Sequence, residues 1–175
     1  MEEQVILVNR EDKELGTMGK MAAHEQGELH RAFSVFLFND QGDTLLQQRA
    51  AGKYHSPGLW TNSCCSHPRQ GETVEAAAQR RLGEELGIQL ADISDLERHF
   101  HFVYRADFDN GLIEHELDHV LTAKFDGVLD LNEEEVQDVQ WMSIEDIEAD
   151  MASNPDDYTA WFKIIFDQYL KHIPR

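Results

Sequence analysis

A thiol and an imidazole stand two residues apart in the segment Trp60–Pro68, which reads WTNSCCSHP. On residue type alone, Cys64 or Cys65 is either a reactive thiol or a small buried apolar side chain. A zinc knuckle built on these cysteines and His67 is conceivable, but the second Cys–Cys or His–His pair that such a site needs is missing. The segment therefore indicates thiol chemistry beside an imidazole.

Two carboxylates flank His115 in the sequence Glu114-His115-Glu116. Alternate side chains of a β-strand point the same way, so these glutamates would lie about 6.6 Å apart on one face. Like charges on a buried face require a raised pKa or a cation. The imidazoles that could share such a cation belong to His24, His30 and His67. Three imidazoles with two carboxylates suit Zn²⁺, Mn²⁺ or Fe²⁺, and the alternative is that both glutamates face water.

The bulk composition bounds the class of protein. A chain of 175 residues fits one domain, spanning 1–175, with a substantial core. A formal charge of −19 opposes binding to nucleic acid or anionic membranes, because both repel it. The two cysteines are adjacent and cannot form an unstrained disulfide, no segment reaches the length of a membrane span, and Met1–Gln4 lacks a signal-type apolar region. These features predict a cytoplasmic protein.

Alternating and β-branched patterns predict the strands that must position these residues. The predicted strands cover 5–8, 32–38, 45–49, 99–105, 113–125 and 136–141. Asn39–Asp43 predicts the turn of a hairpin, and Lys53–Leu59 predicts a loop. Between the first two strands, the sequence predicts a polar turn and a loop that contains Gly27. On the long strand 113–125, Asp118 shares a face with the two glutamates.

Apolar residues recur every four positions from Val74 to Leu86, which predicts a helix over 73–86 with Gly87 as its C-cap. Ser143 predicts the N-cap of a short acidic helix. The segment 156–171 predicts an amphipathic helix. The acidic run 130–135 predicts a solvated turn.

Several of these motifs together resemble the type 1 isopentenyl-diphosphate isomerases of the Nudix superfamily. The matching segments are WTNSCCSHP at 60–68, GE at 71–72, RRL at 80–82, EELG at 84–87, YR at 104–105 and EHE at 114–116. The similarity runs from Lys20 through Trp161. A Nudix helix alone would not bring the WTNS and Cys-x-His elements, so the combination is specific. The resemblance implies an α+β fold with a Nudix-like mixed β-sheet sandwiched between helices.

The resemblance also implies a role for each residue at a matching position. Cys65, two residues before the histidine, takes the place of the catalytic thiol, and Glu116 with Tyr104 takes the place of the second proton-transfer group. The residues implied to hold a transition metal are His24, His30, His67, Glu114 and Glu116. Glu85 and the backbone of Cys65 are implied to hold Mg²⁺. The residues implied to contact the substrate are Lys20, Arg49, Lys53, Arg81 and Trp161.

By this resemblance, the chain is an isomerase of isoprenoid biosynthesis that interconverts isopentenyl diphosphate and dimethylallyl diphosphate. The implied cofactors are a diphosphate-bound Mg²⁺ and one Mn²⁺ or Zn²⁺. The implied partner is a small prenyl diphosphate, and the chain is expected to act as a monomer or weak dimer. The reaction passes through a tertiary carbocation that must be kept from water. A neighbouring cation can lower the pKa of the Cys65 thiol, so the surroundings of Cys65 decide whether thiol or thiolate is present. The Trp161 ring can stabilise the carbocation.

A Nudix diphosphate hydrolase is the main alternative. Hydrolases of this superfamily have a metal-gathering carboxylate at the position of Arg81 and a glycine at the position of Ser66. A cation at position 81 weakens a multi-metal site and favours an intact diphosphate. An acidic binding module is a second alternative, but it would leave Cys65 and the two glutamates without a purpose. On residue type alone, the basic residues of the site are ordinary solvated charges and its aromatic residues are core side chains.

Overall fold

The structure, a computed structural model, describes residues 3–53 and 55–173. The predicted domain limits at 1 and 175, and Tyr54 in the predicted loop, lie outside these residues. The elements follow in the order β1 (Gln4–Val8), β2 (Glu14–Gly19), α1 (Lys20–Gln26), β3 (His30–Phe38), β4 (Thr44–Arg49), β5 (Trp60–Thr61), β6 (Cys64–Ser66), α2 (Val74–Leu86), β7 (Ile93–Asp107), β8 (Ile113–Phe125), β9 (Val136–Met142), α3 (Ile144–Ser153) and α4 (Ala160–His172). Short 3₁₀ turns cover Leu90–Asp92 and Pro155–Asp157. None of the helices described has the length and apolar character needed to cross a lipid bilayer.

One mixed sheet contains all nine strands of the described residues, and its central pairing is parallel. β3 runs beside β8 from His30, opposite Glu116, to Phe38, opposite Lys124. The other strand pairings are antiparallel: β1–β2, β1–β3, β3–β4, β3–β6, β4–β5, β4–β9 and β7–β8. A parallel neighbour requires a long crossover connection, which here includes α2.

Both faces of this sheet are covered by helices, which confirms the predicted sandwich. Phe33, Val35 and Leu37 point from β3 into a core that includes the apolar stripe of α2. Phe36, which has the opposite orientation on the same strand, packs into a second core with α4. Burying a side chain of this size contributes about 1.5–3 kcal/mol to the free energy of folding, so the apolar contacts on each face stabilise the helix that packs there.

The ends of α2 agree with the sequence prediction. The Thr73 side chain accepts a hydrogen bond from the backbone N–H of Ala76 at 3.1 Å. Gly87 ends the helix in the left-handed region, with φ of 66°. A Cβ atom at this position would lie 2.4 Å from the Asp130 carbonyl oxygen, so the close approach itself requires glycine. α3 begins as predicted, with Ser143 accepting from the N–H of Asp146.

Four local predictions need correction. β2 and α1 occupy the stretch predicted as turn and loop, because a short edge strand and a two-turn helix leave no clear apolar period. α4 begins at Ala160 rather than 156, since the preceding residues form a 3₁₀ turn. The predicted hairpin pairs only Phe38 with Thr44, because β3 and β4 then turn to other partners. β7 is longer than predicted at both ends.

Candidate active site

Three histidines and one glutamate meet beneath the parallel strand pair. The possible ligand atoms of His24, His30, His67 and Glu116 all lie within 4.8 Å of one another, and all four side chains are buried. The Nε2 atoms of His30 and His67 lie 3.0 and 2.7 Å from Glu116 Oε2. Glu114 does not join this group.

Backbone contacts and strand register orient the side chains of this group. His24 is on α1, where its Nδ1 lies 2.7 Å from the Lys20 carbonyl oxygen, and His30 Nδ1 lies 2.9 Å from the Glu28 carbonyl oxygen. These backbone contacts fix the rings and leave Nε2 of each free to face the group. The parallel register places His30 directly beside Glu116, although they are 86 residues apart.

The protonation of this cluster fits a divalent cation. Burial lowers the pKa of His24, and lowers that of His67 to about 4 against the pull of Glu116, so both rings are neutral near pH 7. Buried neutral imidazoles and a carboxylate are the donors that transition metals prefer. His67 Nδ1 is buried without a hydrogen-bond partner among the described residues. These four residues could therefore hold a metal ion.

Tyr104 connects the two glutamates of β8. Its hydroxyl oxygen lies 2.8 Å from Glu114 Oε1 and 2.5 Å from Glu116 Oε1. Burial and the charge of Glu116 raise the pKa of Glu114 well above its usual range, and burial raises that of Tyr104. One hydroxyl can donate only one proton, so a protonated Glu114 donates to the Tyr104 oxygen while Tyr104 donates to Glu116.

The two thiols face opposite sides of β6. Cys64 points into the core under α2, with Sγ 3.4 Å from Glu85 Oε2, whereas Cys65 faces the second core and lies 2.8 Å from Asn62 Oδ1. Alternate orientation explains why adjacent cysteines have different environments. The sequence left open whether Cys65 is a thiol or a thiolate, and burial, reinforced by the Asp118 charge, raises the pKa of Cys65 well above the usual range. The Cys65 side chain is therefore a protonated thiol.

Basic side chains line the mouth of the same cleft. Arg81 Nη2 lies 3.1 Å from Glu85, and Lys53 Nζ lies 2.6 Å from Glu135. Glu135 belongs to the acidic run predicted as a solvated turn, but it is half-buried and its pKa is lowered by Lys53 even though burial opposes this. A region that holds so many cations at one edge can bind an anion in spite of the overall acidity.

Aromatic rings form the inner wall. Trp161 is buried, and the Arg49 guanidinium carbon lies 5.0 Å from the centroid of its ring. The His55 ring meets Trp161 edge to face at 5.3 Å and stacks on Phe108 at 4.8 Å. Burial, followed by the charge of Arg49, lowers the pKa of His55 to about 3, so this ring is neutral.

Most of these groups line one cleft. The residues that line it are Lys20, His24, Ser34, Gln47, Arg49, Lys53, His55, Cys65, Ser66, His67, Arg81, Glu85, Tyr104, Glu114, Glu116, Glu135 and Trp161. His30 lies behind it, with its ring centroid 5.0 Å from that of His67. A thiol and a carboxylate thus border one space that is lined by both basic and aromatic side chains.

Comparison with known proteins identifies the family. The NUDIX domain model matches residues 28–162. The isopentenyl-diphosphate Delta-isomerase of Photobacterium profundum is 50% identical over 177 residues, covering 99% of this chain and 97% of that protein. The chain belongs to the isopentenyl-diphosphate Delta-isomerase family. Isopentenyl-diphosphate Delta-isomerase 2 of Aromatoleum aromaticum is 47% identical, covering 97% of this chain and 88% of that relative.

Solved structures agree on the fold of this isomerase family member. The crystal structure of DR0079 from Deinococcus radiodurans aligns with a TM-score of 0.76 at 21% identity, covering 95% of this chain and 99% of that one. A MutT protein from Methanosarcina mazei aligns with a TM-score of 0.62 at 16% identity, covering 82% of this chain and 94% of that one. At such identities the likeness supports the Nudix fold alone.

The cleft brings together nearly every residue that the isomerase resemblance singled out. The exception is His30, which lies behind the lining. Glu114 lines the cleft but is not part of the group of His24, His30, His67 and Glu116, to which the resemblance assigned it. Sequence reasoning assigned nothing to His55, Ser34, Gln47 or Asn62. Asp118 was placed on the correct strand face, but it was given no role. Its alternation with the two glutamates was the one available signal.

Proposed function

We propose that this family member interconverts isopentenyl diphosphate and dimethylallyl diphosphate, with Cys65 and Glu116 as the two proton-transfer residues. The observation that carries this proposal is that a half-buried thiol, Cys65, and a buried carboxylate, Glu116, border the same cleft. The reaction adds a proton to one carbon of the alkene and removes a proton from another. One donor and one acceptor are therefore required in each turnover, and their roles exchange in the reverse direction.

Tyr104 supports Glu116 in this scheme. Its hydroxyl donates to the carboxylate and keeps one Glu116 oxygen in a fixed position, which a proton acceptor or donor requires. The Cys65 sulfur is held on the other strand by Asn62 and Ser34. Both reacting groups are thus on strands rather than on loops, and the geometry between them is rigid.

The carbocation formed between the two proton transfers needs shielding and a negative surface. Trp161 lines the cleft, and a cation against an aromatic face is worth about 2 kcal/mol in a desolvated site. The Arg49 guanidinium already lies over this ring, so the carbocation would have to contact a part of the ring that Arg49 leaves uncovered. The neutral state of His55 adds no positive charge beside the cation. The rings of this wall also exclude water, which would otherwise trap the intermediate.

The diphosphate would bind at the basic edge of the cleft. Lys20, Arg49, Lys53 and Arg81 all line the cleft, and each already contacts a carboxylate or carbonyl oxygen that a diphosphate could replace. Arg81 holds the position at which Nudix hydrolases carry a carboxylate, and this difference favours keeping the diphosphate intact over hydrolysing it.

Two metal ions complete the proposal. His24, His30, His67 and Glu116 would hold Mn²⁺ or Zn²⁺, with Glu114 beside them, and Glu85 with the Cys65 backbone would hold Mg²⁺ at the diphosphate. When bound, these ions supply positive charge that orients the carboxylates and neutralises the diphosphate. A cytoplasmic location and a monomeric or weakly dimeric state stay predictions from the sequence.

Incubation with isopentenyl diphosphate and Mg²⁺, followed by ¹H and ³¹P NMR, tests the proposal. We expect dimethylallyl diphosphate to appear without inorganic phosphate or pyrophosphate. Release of phosphate with no shift of the double bond would instead support a hydrolase. Cys65→Ala is the matched control, because it removes the thiol without touching the basic edge.

A further inference from the structure

Among the residues that the structure describes, two side chains lie within hydrogen-bonding distance of the Cys65 sulfur, and one of them has a proton available to donate. Asn62 presents its carbonyl oxygen to Sγ at 2.8 Å, while its amide nitrogen donates to the carbonyl oxygens of Val35 and Cys64. The amide orientation is thus fixed, and Asn62 is an acceptor towards the sulfur. The other contact is the hydroxyl of Ser34, 3.3 Å from Sγ.

Asp118 determines where the Ser34 proton points. The Ser34 hydroxyl donates to Asp118 Oδ1 at 3.0 Å, and both residues are only 1% exposed. Asp118 Oδ2 is buried without a hydrogen-bond partner in the part of the chain that the structure describes. Burying a carboxyl group with one hydrogen bond is costly for folding. A feature that costs stability beside a reacting group calls for a functional reason.

We propose that Ser34 is a positioning residue for Cys65, oriented by Asp118, and that its hydroxyl stabilises the thiolate during turnover. This inference rests on the proposed catalytic role of Cys65. The β3–β6 register places Ser34 directly opposite Cys65, so the two side chains share one face at a fixed separation. Three residues from three adjacent strands therefore form one chain of contacts: Cys65, Ser34 and Asp118.

The step balances without any further reactant. As the Cys65 S–H bond breaks, a C–H bond forms on the substrate, and the electron pair stays on sulfur. The Ser34 O–H then rotates from Asp118 to the sulfur and donates to it. When the thiolate later accepts a proton from a substrate carbon, the Ser34 O–H rotates back and again donates its hydrogen bond to Asp118. Asn62 cannot replace this donor, because its amide hydrogens are already used.

Steady-state kinetics of Ser34→Ala and Ser34→Thr test this role. Ser34→Ala should lower kcat about 100-fold with KM within about twofold, a loss typical of removing one donor from a developing anion. Ser34→Thr keeps the hydroxyl and should recover most of kcat. Ser63→Ala is the matched control: its buried hydroxyl bonds only backbone groups, so it should lower thermal stability and leave kcat unchanged.

The rate of Cys65 alkylation by iodoacetamide, measured in a Cys64→Ala background, is a second test, in which substitutions at Ser34 and Asp118 should change the rate in opposite directions. Ser34→Ala should slow the reaction at pH 8, since the thiolate loses its donor. Asp118→Asn should accelerate it, because an amide at 118 can donate to the Ser34 oxygen and turn the hydroxyl towards sulfur. Loss of the Asp118 charge alone would also accelerate it, so the Ser34→Ala/Asp118→Asn double variant is the control: its acceleration over Ser34→Ala should be clearly smaller than that of Asp118→Asn over the wild type. Wild-type kcat in Ser34→Ala, or unchanged alkylation in both variants, would overturn the inference. Full activity in Cys65→Ala would instead defeat the proposed function.

Discussion

Arg81 and Glu85 form an ion pair one helical turn apart, with 3.1 Å between Arg81 Nη2 and Glu85 Oε2. Glu85 is buried, so its charge depends on this guanidinium and on the Gln47 side chain, which donates from 3.1 Å. The pair stands at the point where the proposed diphosphate and Mg²⁺ would meet. It therefore links the stability of α2 to substrate binding.

The Arg81→Gln variant tests substrate binding and the stability of α2 without altering either proposed proton-transfer residue. We expect KM for isopentenyl diphosphate to rise at least about tenfold, since one charged contact to a phosphate is worth about 1.5–3 kcal/mol. Thermal stability should also fall, because Glu85 stays buried with a weaker partner. Arg98→Gln is the control, since Arg98 pairs with Glu75 on the outer surface. An unchanged KM would remove Arg81 from the binding site.

The two thiols are expected to behave differently under substitution. Cys65→Ser should lower kcat at least about 1,000-fold, because a hydroxyl is a far weaker acid than a thiol. Cys64→Ala should retain most of the activity and lose about 1 kcal/mol of stability, since its thiol fills core space under α2. Kinetics and urea unfolding of both variants provide the measurement. The assignment fails if the two losses of activity are equal.

Tyr104→Phe tests the contact between the glutamates. Without the hydroxyl, Glu116 loses a donor and two buried carboxyl groups are left facing each other. We expect kcat to fall about 100-fold, and the free energy of unfolding to fall by about 1–3 kcal/mol. Glu116→Gln should abolish turnover while the protein remains folded by circular dichroism. An active Glu116→Gln variant would place the second proton-transfer group elsewhere.

His67→Asn and chelation test the metal centre. We expect the protein purified without chelator to contain about one transition-metal ion per chain, and His67→Asn to lose most of it. Mass spectrometry of the metal content gives the first measurement. Treatment with EDTA should lower the melting temperature of the wild type and change that of the variant little, because bound ligand stabilises the native state. His172→Asn, at an exposed position, is the control. Metal-free wild-type protein would contradict the assignment.

The lowered pKa of His55 leads us to expect that the free energy of unfolding depends on pH. Its pKa is about 3 in the folded protein and 6.5 ordinarily, so the unfolded chain binds a proton throughout this window while the native protein does not. Stability therefore falls as the pH drops from 6.5 towards 3, by up to about 1.4 kcal/mol per pH unit. His55→Phe should show a shallower fall between pH 6.5 and 4 in urea unfolding. Parallel curves for variant and wild type would show that His55 does not titrate in this way.

The elements that local sequence patterns encode could be predicted from the sequence. The long strand of Glu116, the helix of Glu85 and its glycine cap follow from periodicity and turn chemistry. The helix that carries His24 was missed because two turns of mixed composition give no period. The parallel pairing of His30 with Glu116 could not be read from either strand, because a strand pattern does not name its neighbour.

The residues missed at the site share one cause. His55 and Ser34 owe their positions to contacts with segments far away along the chain: His55 meets Trp161, and Ser34 meets Cys65 and Asp118. Their side chains are common in loops and strands, so residue type carries no signal. The protonation state of Cys65 could not be predicted for the same reason, since burial is a property of the assembled cleft.

The parallel contact between β3 and β8 has a consequence for the life of the enzyme. Ser34 and Glu116 lie on this strand pair, and Cys65 lies on β6, which pairs with β3. The pair can form only after residues up to β8 have been synthesised, so a shorter chain lacks the group of His24, His30, His67 and Glu116. On the proposed mechanism, the residues that would form the carbocation and those that would shield it come together at the same stage of folding.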